Sequence, residues 1–233
     1  MIRGRKVAGI IGGMGPAATA DLFTKIVAMT EAVRDQEHIH ILIDNNTDIP
    51  DRTAAILQGV GDPLTPMIES GRRLVAQGAD FLLVPCNTAH HYWQPLSEAM
   101  EVPVLNMPRL ALEECRRQGL GCVGLLATEG CVKSGVYSRV FAGSGVELLC
   151  PEGELQQALM HIIYDEVKAG LPAHPEALHP NLKEMERRGA GAFLLACTEL
   201  PIAFAGDGAF RYMDVTGLLA AEAIRQAGGK VRE

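Results

Sequence analysis

The chain has 233 residues, enough for one large domain or two of about 100–120 residues each. Hydrophobic residues make up 48% of it and charged residues 21%, which excludes a disordered protein. The net charge of -7 argues against nucleic acid or an anionic membrane as the main partner, and no apolar run approaches the roughly 18–20 residues of a membrane span. A small acidic ligand stays possible, because a local pair of cations can outweigh distant charges.

Predicted strands and helices alternate along the first half of the chain. Gly12-Gly13-Met14-Gly15 separates the first strand from a helix that Pro16 opens, because proline is favoured at the first helical position. A polar loop, residues 44–51, follows the second strand. Strands are predicted at residues 6–12, 38–43, 79–84 and 102–106, and a further helix at residues 62–78.

The pattern restarts near the middle of the chain. Cys122-Val123-Gly124-Leu125-Leu126 has the same apolar-glycine-apolar layout as Val7-Ala8-Gly9-Ile10-Ile11. A last strand and helix, residues 211–226, are predicted to return to the first domain. The other elements predicted in the second half are a strand at residues 146–149, helices at residues 154–169 and 176–189, and a strand that leads to Cys197.

One phrase occurs twice in the chain. Phe81-Leu82-Leu83-Val84-Pro85-Cys86-Asn87-Thr88 reappears, one residue shorter, as Phe193-Leu194-Leu195-Ala196-Cys197-Thr198-Glu199. The two cysteines lie about 110 positions apart, which indicates an internal duplication rather than a short solenoid repeat.

Strands that alternate with helices indicate parallel sheets joined by right-handed crossovers. We therefore predict an α/β fold of two similar Rossmann-like domains with parallel sheets, related by a pseudo-twofold axis, with the active site in the cleft between them. The predicted first domain is residues 1–103 plus 211–233, and the predicted second domain is residues 104–210.

Cys86 and Cys197 are predicted to lie at the carboxyl ends of parallel strands, where α/β sheets bind their ligands. A helix that begins after either cysteine would direct backbone N–H groups at the sulfur and favour the thiolate. The alternative is that each cysteine is a small buried hydrophobic residue, but a matched pair with polar neighbours favours chemistry. The remaining cysteines lack such a setting: Cys115, Cys122, Cys131 and Cys150. Six cysteines without a C-x-x-C pair do not make a disulfide scaffold, so we expect a reducing, cytoplasmic location.

Other polar motifs are weak when each is taken alone. The loop Gly12-Gly13-Met14-Gly15-Pro16 does not fit G-x-G-x-x-G well, although a glycine turn at a helix N-terminus can receive a small anion. Arg52, in a polar loop, and Lys168, near a helix end, could each be an ordinary solvated cation. The histidines are weakly spaced for zinc, so no metal site is predicted at His38, His40, His90 and His91.

Taken together, three phrases resemble those of the aspartate/glutamate racemase family, and most resemble its cofactor-independent aspartate racemases. They are Gly12-Gly13-Met14-Gly15-Pro16, Pro85-Cys86-Asn87-Thr88-Ala89-His90 and Ala196-Cys197-Thr198-Glu199, and the resemblance extends to Asp51-Arg52-Thr53, Tyr164 and Lys168. It implies that Cys86 and Cys197 are catalytic. One, as thiolate, would remove the α-proton while the other, as thiol, reprotonates the opposite face. No pyridoxal phosphate, other cofactor or metal is needed in such a mechanism.

The resemblance also implies which residues bind the substrate. Arg52 and Lys168 would hold its carboxylates, with Arg52 bidentate. The α-carboxylate end would be bound by Asn87, Thr88, Thr198 and the loop of Met14, and Tyr164 would complete the site. The implied partner is a small acidic amino acid, and the implied assembly is a homodimer.

Several functions are compatible with these motifs. Racemisation of aspartate, in both directions, is the function that we expect. A glutamate or broad-specificity amino-acid racemase, a hydantoin racemase and a cis-trans isomerase of a dicarboxylate are alternatives within the same superfamily. From other classes, the chain could be a two-lobed protein that binds an acidic ligand without chemistry, or a thiol-disulfide enzyme if the two cysteines bond to each other.

Overall fold

Two separate, fully parallel sheets frame the protein in the computed structural model, which describes residues 4–232. The strands of the described chain are β1 (Ala8–Gly12), β2 (Ile41–Asn45), β3 (Phe81–Leu83), β4 (Cys122–Leu126), β5 (Glu147–Leu149), β6 (Phe193–Leu195) and β7 (Tyr212–Asp214). The α-helices are α1 (Pro16–Met29), α2 (Arg52–Gln58), α3 (Leu64–Ala76), α4 (Trp93–Glu98), α5 (Met107–Arg117), α6 (Glu129–Lys133), α7 (Val136–Phe141), α8 (Gly153–His161), α9 (His179–Arg187), α10 (Leu200–Ala203) and α11 (Val215–Gln226). Turns of 3-10 type lie at Asp35–Glu37, Thr88–Tyr92 and Pro175–Leu178, and a π turn lies at Ile162–Val167.

Both sheets repeat one strand order. In the first sheet β1 lies between β2 and β3, with Ile10 beside Leu83. In the second sheet β4 lies between β5 and β6, with Leu126 beside Leu195. The two central strands are almost wholly buried apolar runs, as parallel strands covered by helices on both faces must be. The prediction of two similar α/β halves with parallel sheets is confirmed.

The turn after β1 requires glycine. Gly13 has a φ angle of +90°, and a Cβ there would lie 2.1 Å from the backbone oxygen of Asn46. The Gly13 N–H donates to Thr19 Oγ1 at 3.0 Å, inside the first turns of α1. The chain therefore turns tightly from β1 into α1 and leaves Met14 at the carboxyl edge of the sheet.

Two predicted elements end differently in the structure. Residues 102–106 form no strand, because Pro103 has no N–H to extend a ladder and Val104 makes only a single bridge with Leu82. The predicted helix at residues 154–169 is α-helical only to His161 and continues as the π turn. A π turn widens the helix by one residue, so it changes which side chains point towards the cleft.

The terminal segment joins both halves. β7 pairs with β6 in the second sheet, with Leu195 beside Asp214, so the prediction that this strand returns to the first domain is wrong. It follows β6 through the short helix α10, and elements that are close in sequence tend to be neighbours in space. The segment also reaches the first half: α11 packs against α1, Asp214 of β7 forms an ion pair with Lys25 of α1, and the Arg232 N–H donates to the Met29 carbonyl oxygen. The domain boundaries themselves remain a prediction, and residues 1–3 and 233 lie outside the described chain.

A shared hydrophobic core lies between the two sheets. One cluster of buried side chains contains Leu83 of the first sheet, Leu125 and Leu194 of the second, and Leu219 and Ile224 of α11. Two further clusters cover the outer faces of the two sheets. The halves are therefore not independent bodies joined by a linker. Among residues 4–232, no helix combines the length and the apolar character needed to cross a membrane.

Candidate active site

A narrow cavity lies where the loops that follow the strands of both halves meet. It is lined by all nine residues that the sequence motifs single out: Met14, Arg52, Cys86, Asn87, Thr88, Tyr164, Lys168, Cys197 and Thr198. Four other side chains complete the lining, namely Asp51, Thr53, Thr128 and Glu199. The cysteines, which follow β3 and β6, are the equivalent positions of the two sheets.

The loop of Cys86 is fixed by a neutral histidine. The Met107 N–H, at the start of α5, donates to His90 Nε2 at 3.1 Å. Nδ1 of the same ring must therefore carry the proton, which it donates to the carbonyl oxygen of Cys86 at 2.9 Å. Burial lowers the pKa of His90 to about 4, so the ring stays neutral near pH 7.

Arg52 brings a buried positive charge to the same side of the cavity. It begins α2, which Asp51 caps by accepting the Ala54 N–H at 2.8 Å. The guanidinium donates to the carbonyl oxygens of Met14, Ile49 and Pro50 at 2.9–3.1 Å.

Arg52 keeps its positive charge although the side chain is buried. Burial by itself lowers the pKa of Arg52, but the interactions with Cys86 and Asp51 outweigh it and raise the pKa above its usual value. Within the described chain, Arg52 Nε has no hydrogen-bond partner. A buried N–H of a cation without an acceptor is a position where an anionic ligand binds favourably.

Asn87 is oriented by a tyrosine from the second half. The Tyr137 hydroxyl donates to Asn87 Oδ1 at 2.5 Å, which fixes the amide with Nδ2 as its remaining donor. Nδ2 is buried and finds no acceptor among residues 4–232. Beside it, the hydroxyls of Thr88 and Thr128 lie 2.8 Å apart and join the two halves across the cavity.

Cys197 faces a carboxylate rather than a cation. Its Sγ donates to Glu199 Oε2 at 3.0 Å, and the Thr198 hydroxyl donates to the same oxygen at 3.3 Å. Lys168 Nζ lies 3.4 Å from the other oxygen, Oε1.

The pKa of Cys197 is raised well above its usual value, first by burial and then by the negative charge and hydrogen bond of Glu199. Lys168 and the Glu199 N–H lower the pKa of Cys197, but by less. The Glu199 N–H thus favours the thiolate of Cys197, as predicted, but burial and the Glu199 carboxylate outweigh it. The prediction of a lowered pKa is therefore wrong for Cys197, because the sequence pattern did not show where the Glu199 side chain lies.

The π turn presents the remaining predicted residues. The Tyr164 hydroxyl oxygen lies 3.2 Å from both Asp51 Oδ2 and Thr53 Oγ1, so it bridges the second half to the first. Burial raises the pKa of Tyr164 to about 12, so the hydroxyl keeps its proton and donates it. Lys168 lies one turn further on, with Nζ 5.0 Å from the centre of the Tyr164 ring.

The two halves are in close contact around the cavity. Its volume is about 10 Å³, which is roughly the room that one water molecule requires. A second cavity of about 360 Å³ shares four lining residues with it and lies towards solvent: Asp51, Arg52, Lys168 and Glu199. Gly130 of α6 lies against Thr53 of α2, where a Cβ would come within 2.9 Å of backbone. An amino acid needs more room than one water molecule, so it would fit only if this cavity were wider.

The other four cysteines lie outside the cavity. Cys115 and Cys131 are completely buried, and burial raises the pKa of Cys115 to about 11. Cys122 and Cys150 are partly exposed outside the cavity. Residues 4–232 contain no group of His, Cys, Asp and Glu side chains arranged to hold a metal ion.

Several lining residues were not predicted as site residues. Asp51, Thr53 and Glu199 lie inside the motifs quoted above, but the sequence does not show that their side chains point into the cavity. Thr128 follows β4 as Met14 follows β1, so the internal repeat could have identified it. For Tyr137 the sequence carries no such signal, because its contact with Asn87 joins residues of different halves.

Comparison with known proteins identifies the family. The Asp/Glu/Hydantoin racemase family model matches residues 11–223, and the chain therefore belongs to this family. The structure of Picrophilus torridus aspartate racemase superposes with a TM-score of 0.85 at 29% identity, over 97% of this chain and 96% of that one. A broad specificity amino-acid racemase of Bacillus subtilis is 28% identical over 205 residues, 82% of this chain and 85% of that protein. A glutamate racemase of Desulforudis audaxviator is 27% identical over 130 residues, 55% of this chain and 47% of that protein.

Proposed function

We propose that this member of the racemase family interconverts the enantiomers of an acidic amino acid, first of all aspartate, with Cys86 and Cys197 as its two acid/base groups. One observation carries the proposal. The two thiols follow equivalent strands of two repeated sheets and line one cavity, and that cavity also holds the cationic side chains of Arg52 and Lys168.

The chemistry follows from the inversion of the α-carbon that a racemase must carry out. A racemase must remove the α-proton from one face of the α-carbon and return a proton to the other face. The thiolate of one cysteine takes the proton, and the thiol of the other supplies one. The carbanion formed between these steps places negative charge on the α-carboxylate, so a nearby cation or amide donor stabilises the transition state. The proposed mechanism uses no cofactor: the thiols transfer the protons, and the cations and amide donors of the cavity stabilise the charge of the carbanion.

Unpartnered donors in the cavity support an acidic substrate. Arg52 Nε and Asn87 Nδ2 are both buried and have no acceptor within the described chain. Lys168 adds a second positive charge at the opening towards solvent. Two carboxylates, as in aspartate or glutamate, can use both cations, whereas an amino acid with a neutral side chain uses one.

The length of the side chain is the open part of the specificity. Proteins similar to this chain include an aspartate racemase, a broad specificity amino-acid racemase and a glutamate racemase. The small volume of the cavity favours the shorter aspartate, because glutamate requires a wider cavity.

A protein that binds an acidic ligand without chemistry is the rival from another class. The same unpartnered donors suit it, but it has no use for two thiols at equivalent strand ends. The two functions therefore differ in what happens at the α-carbon.

The experiment follows the α-proton by NMR in D2O. The protein is incubated separately with L-aspartate, D-aspartate, L-glutamate and D-glutamate, with alanine as the neutral control. We expect deuterium at the α-carbon and inversion with aspartate, and a rate lowered about 1000-fold in Cys86→Ser and Cys197→Ser. Cys122→Ser, outside the cavity, is the matched control and should keep the wild-type rate. Ligand binding without exchange would establish the rival function, and full activity in either cavity variant would exclude the two-thiol mechanism.

The setting of the reaction completes the proposal. Both thiols must be reduced to act, so we place the protein in the cytoplasm, where thiols stay reduced. The family resemblance of its motifs favours a homodimer. Light scattering after size-exclusion chromatography should give twice the mass of the chain, and the mass of a single chain would exclude the dimer.

A further inference from the structure

The repeat places the two thiols equivalently but gives them opposite neighbours. Arg52, a buried cation, lines the cavity together with Cys86, whose charge raises the pKa of Arg52. Glu199, a buried carboxylate, accepts the S–H of Cys197 at 3.0 Å. In a racemase each thiol must alternate between base and acid, so a permanent difference between their neighbours affects which protonation state the free protein adopts.

Glu199 is held where a negative charge is stable. Its Oε1 lies 3.4 Å from Lys168 Nζ, and a Cβ built on Gly15 would lie 3.5 Å from the same oxygen. Gly15 is the N-cap of α1, and the N-terminus of a helix stabilises negative charge. The other oxygen, Oε2, accepts hydrogen bonds from the Cys197 thiol and the Thr198 hydroxyl. The side chain is 4% exposed, so water competes little for either oxygen.

We propose that Glu199 keeps Cys197 in its thiol form, so that the free protein holds its proton on Cys197 and is ready for the enantiomer whose α-proton faces Cys86. This inference rests on the proposed racemase function and assigns to Glu199 a role that acts through Cys197. When Cys197 gives its proton to substrate, its thiolate is left beside the Glu199 carboxylate. The two negative charges repel each other, which drives Cys197 to recover a proton.

The kinetic consequence is an inequality between the two enantiomers. A racemisation has an equilibrium constant of one, so kcat/KM must be the same for both directions. A preference of the free protein for one protonation state can therefore make kcat and KM differ between the enantiomers, but it cannot make kcat/KM differ. The enantiomer that requires a thiolate at Cys197 meets a minority form of the protein, and its apparent affinity falls accordingly.

The direct test is the pH dependence of thiol alkylation, which needs no turnover. The protein is treated with iodoacetamide from pH 6 to 10, and each cysteine peptide is quantified by mass spectrometry. The midpoint pH is compared rather than the rate, because limited access to a buried thiol scales the rate without moving the midpoint. In Glu199→Gln the midpoint for Cys197 should fall by about one pH unit or more, which corresponds to about tenfold faster alkylation at pH 8.

The controls separate this role from a general effect of the cavity. The other charged or titratable groups around it are Arg52, Asp51, Cys86, Tyr164 and Lys168. Asp51→Asn removes a carboxylate that does not contact Cys197, and it should leave the midpoint of Cys197 in place. Lys168→Met removes the opposing cation and should raise that midpoint. If circular dichroism shows that Glu199→Gln does not fold, Glu199→Asp takes its place: the shorter side chain draws the carboxylate away from Cys197, so the midpoint should fall, and an unchanged midpoint would overturn the proposal.

Two results would overturn the proposal. One is an unchanged Cys197 midpoint in folded Glu199→Gln, or in the Glu199→Asp that takes its place, and the other is an equal shift in Asp51→Asn. Failure of the racemase function would appear differently, as an absence of deuterium exchange in D2O while the alkylation result still holds. If both functions hold, Glu199→Gln should bring the kcat values of the two enantiomers closer together.

Discussion

The two halves of the protein place a cysteine at the same point of the same strand order, yet they fix the two thiol loops differently. In the first half, the neutral ring of His90 ties the Cys86 carbonyl to α5, and Arg52 is the neighbouring cation. In the second half, Glu199 accepts a hydrogen bond from the Cys197 thiol. A repeated backbone therefore supplies two equivalent positions, and the local side chains decide which charge each thiol meets. An arrangement that is symmetric in its strands can be asymmetric in its chemistry.

The largest expected effect tests the histidine of the first half. Because burial lowers the pKa of His90 from 6.5 to about 4, the unfolded chain takes up a proton at a higher pH than the folded protein does. The stability from this group is present above pH 6.5 and is lost as the pH falls towards 4, by about 3 kcal/mol. Urea unfolding at pH 7 and pH 4 should therefore show a smaller pH-dependent loss in His90→Gln than in the wild type.

His91→Gln is the matched control for this prediction. His91 is the next residue of the same turn and is exposed, so the variant should keep most of the wild-type pH dependence. If His90→Gln loses as much stability as the wild type between pH 7 and pH 4, the titration of His90 is not the cause. The second half has Leu200 and Pro201 after Glu199 and no histidine there, so this acid sensitivity belongs to the Cys86 loop.

The second prediction compares the two cations. Arg52→Lys should lower kcat/KM for aspartate about 100-fold, mainly through KM, because one ammonium cannot hold three carbonyl oxygens and also bind a carboxylate. Lys168→Arg should cost about tenfold or less, because Lys168 is partly exposed and has a single ion-pair partner in the described chain. Steady-state kinetics of both variants, with folding checked by circular dichroism, measure the difference. Equal losses would mean that the two cations contribute alike.

The smallest expected effect concerns the contact between the halves at Asn87. Tyr137→Phe removes the hydroxyl that orients the Asn87 amide, so kcat/KM should fall about tenfold and stability by about 1 kcal/mol. Tyr212→Phe is the control, because its hydroxyl donates to Asp207 outside the cavity. It should lose similar stability and keep its activity. A similar activity in the two variants would show that the orientation of Asn87 does not matter.

Much of this architecture could be predicted from local patterns. Short apolar runs that end in cysteine, at matching points of two halves, predicted both the parallel sheets and the pair of thiols. The prediction of a strand at residues 102–106 was wrong. A run of apolar residues indicates burial, whereas Pro103 limits the hydrogen bonds that define a strand. The prediction for β7 was wrong because periodicity indicates that a strand exists and not which strand it pairs with; the short connection through α10 favours β6 as its partner.

By itself the sequence determined the two-part α/β architecture, the positions of Cys86 and Cys197 at strand ends and nine of the thirteen residues that line one cavity. Tertiary structure alone decided that Glu199, rather than a cation, meets the thiol of Cys197, and that Tyr137 orients Asn87. It also decided how closely the halves approach. The reason is that composition and periodicity report which residues are buried, while the charge that a buried group meets depends on side chains brought together from distant parts of the chain.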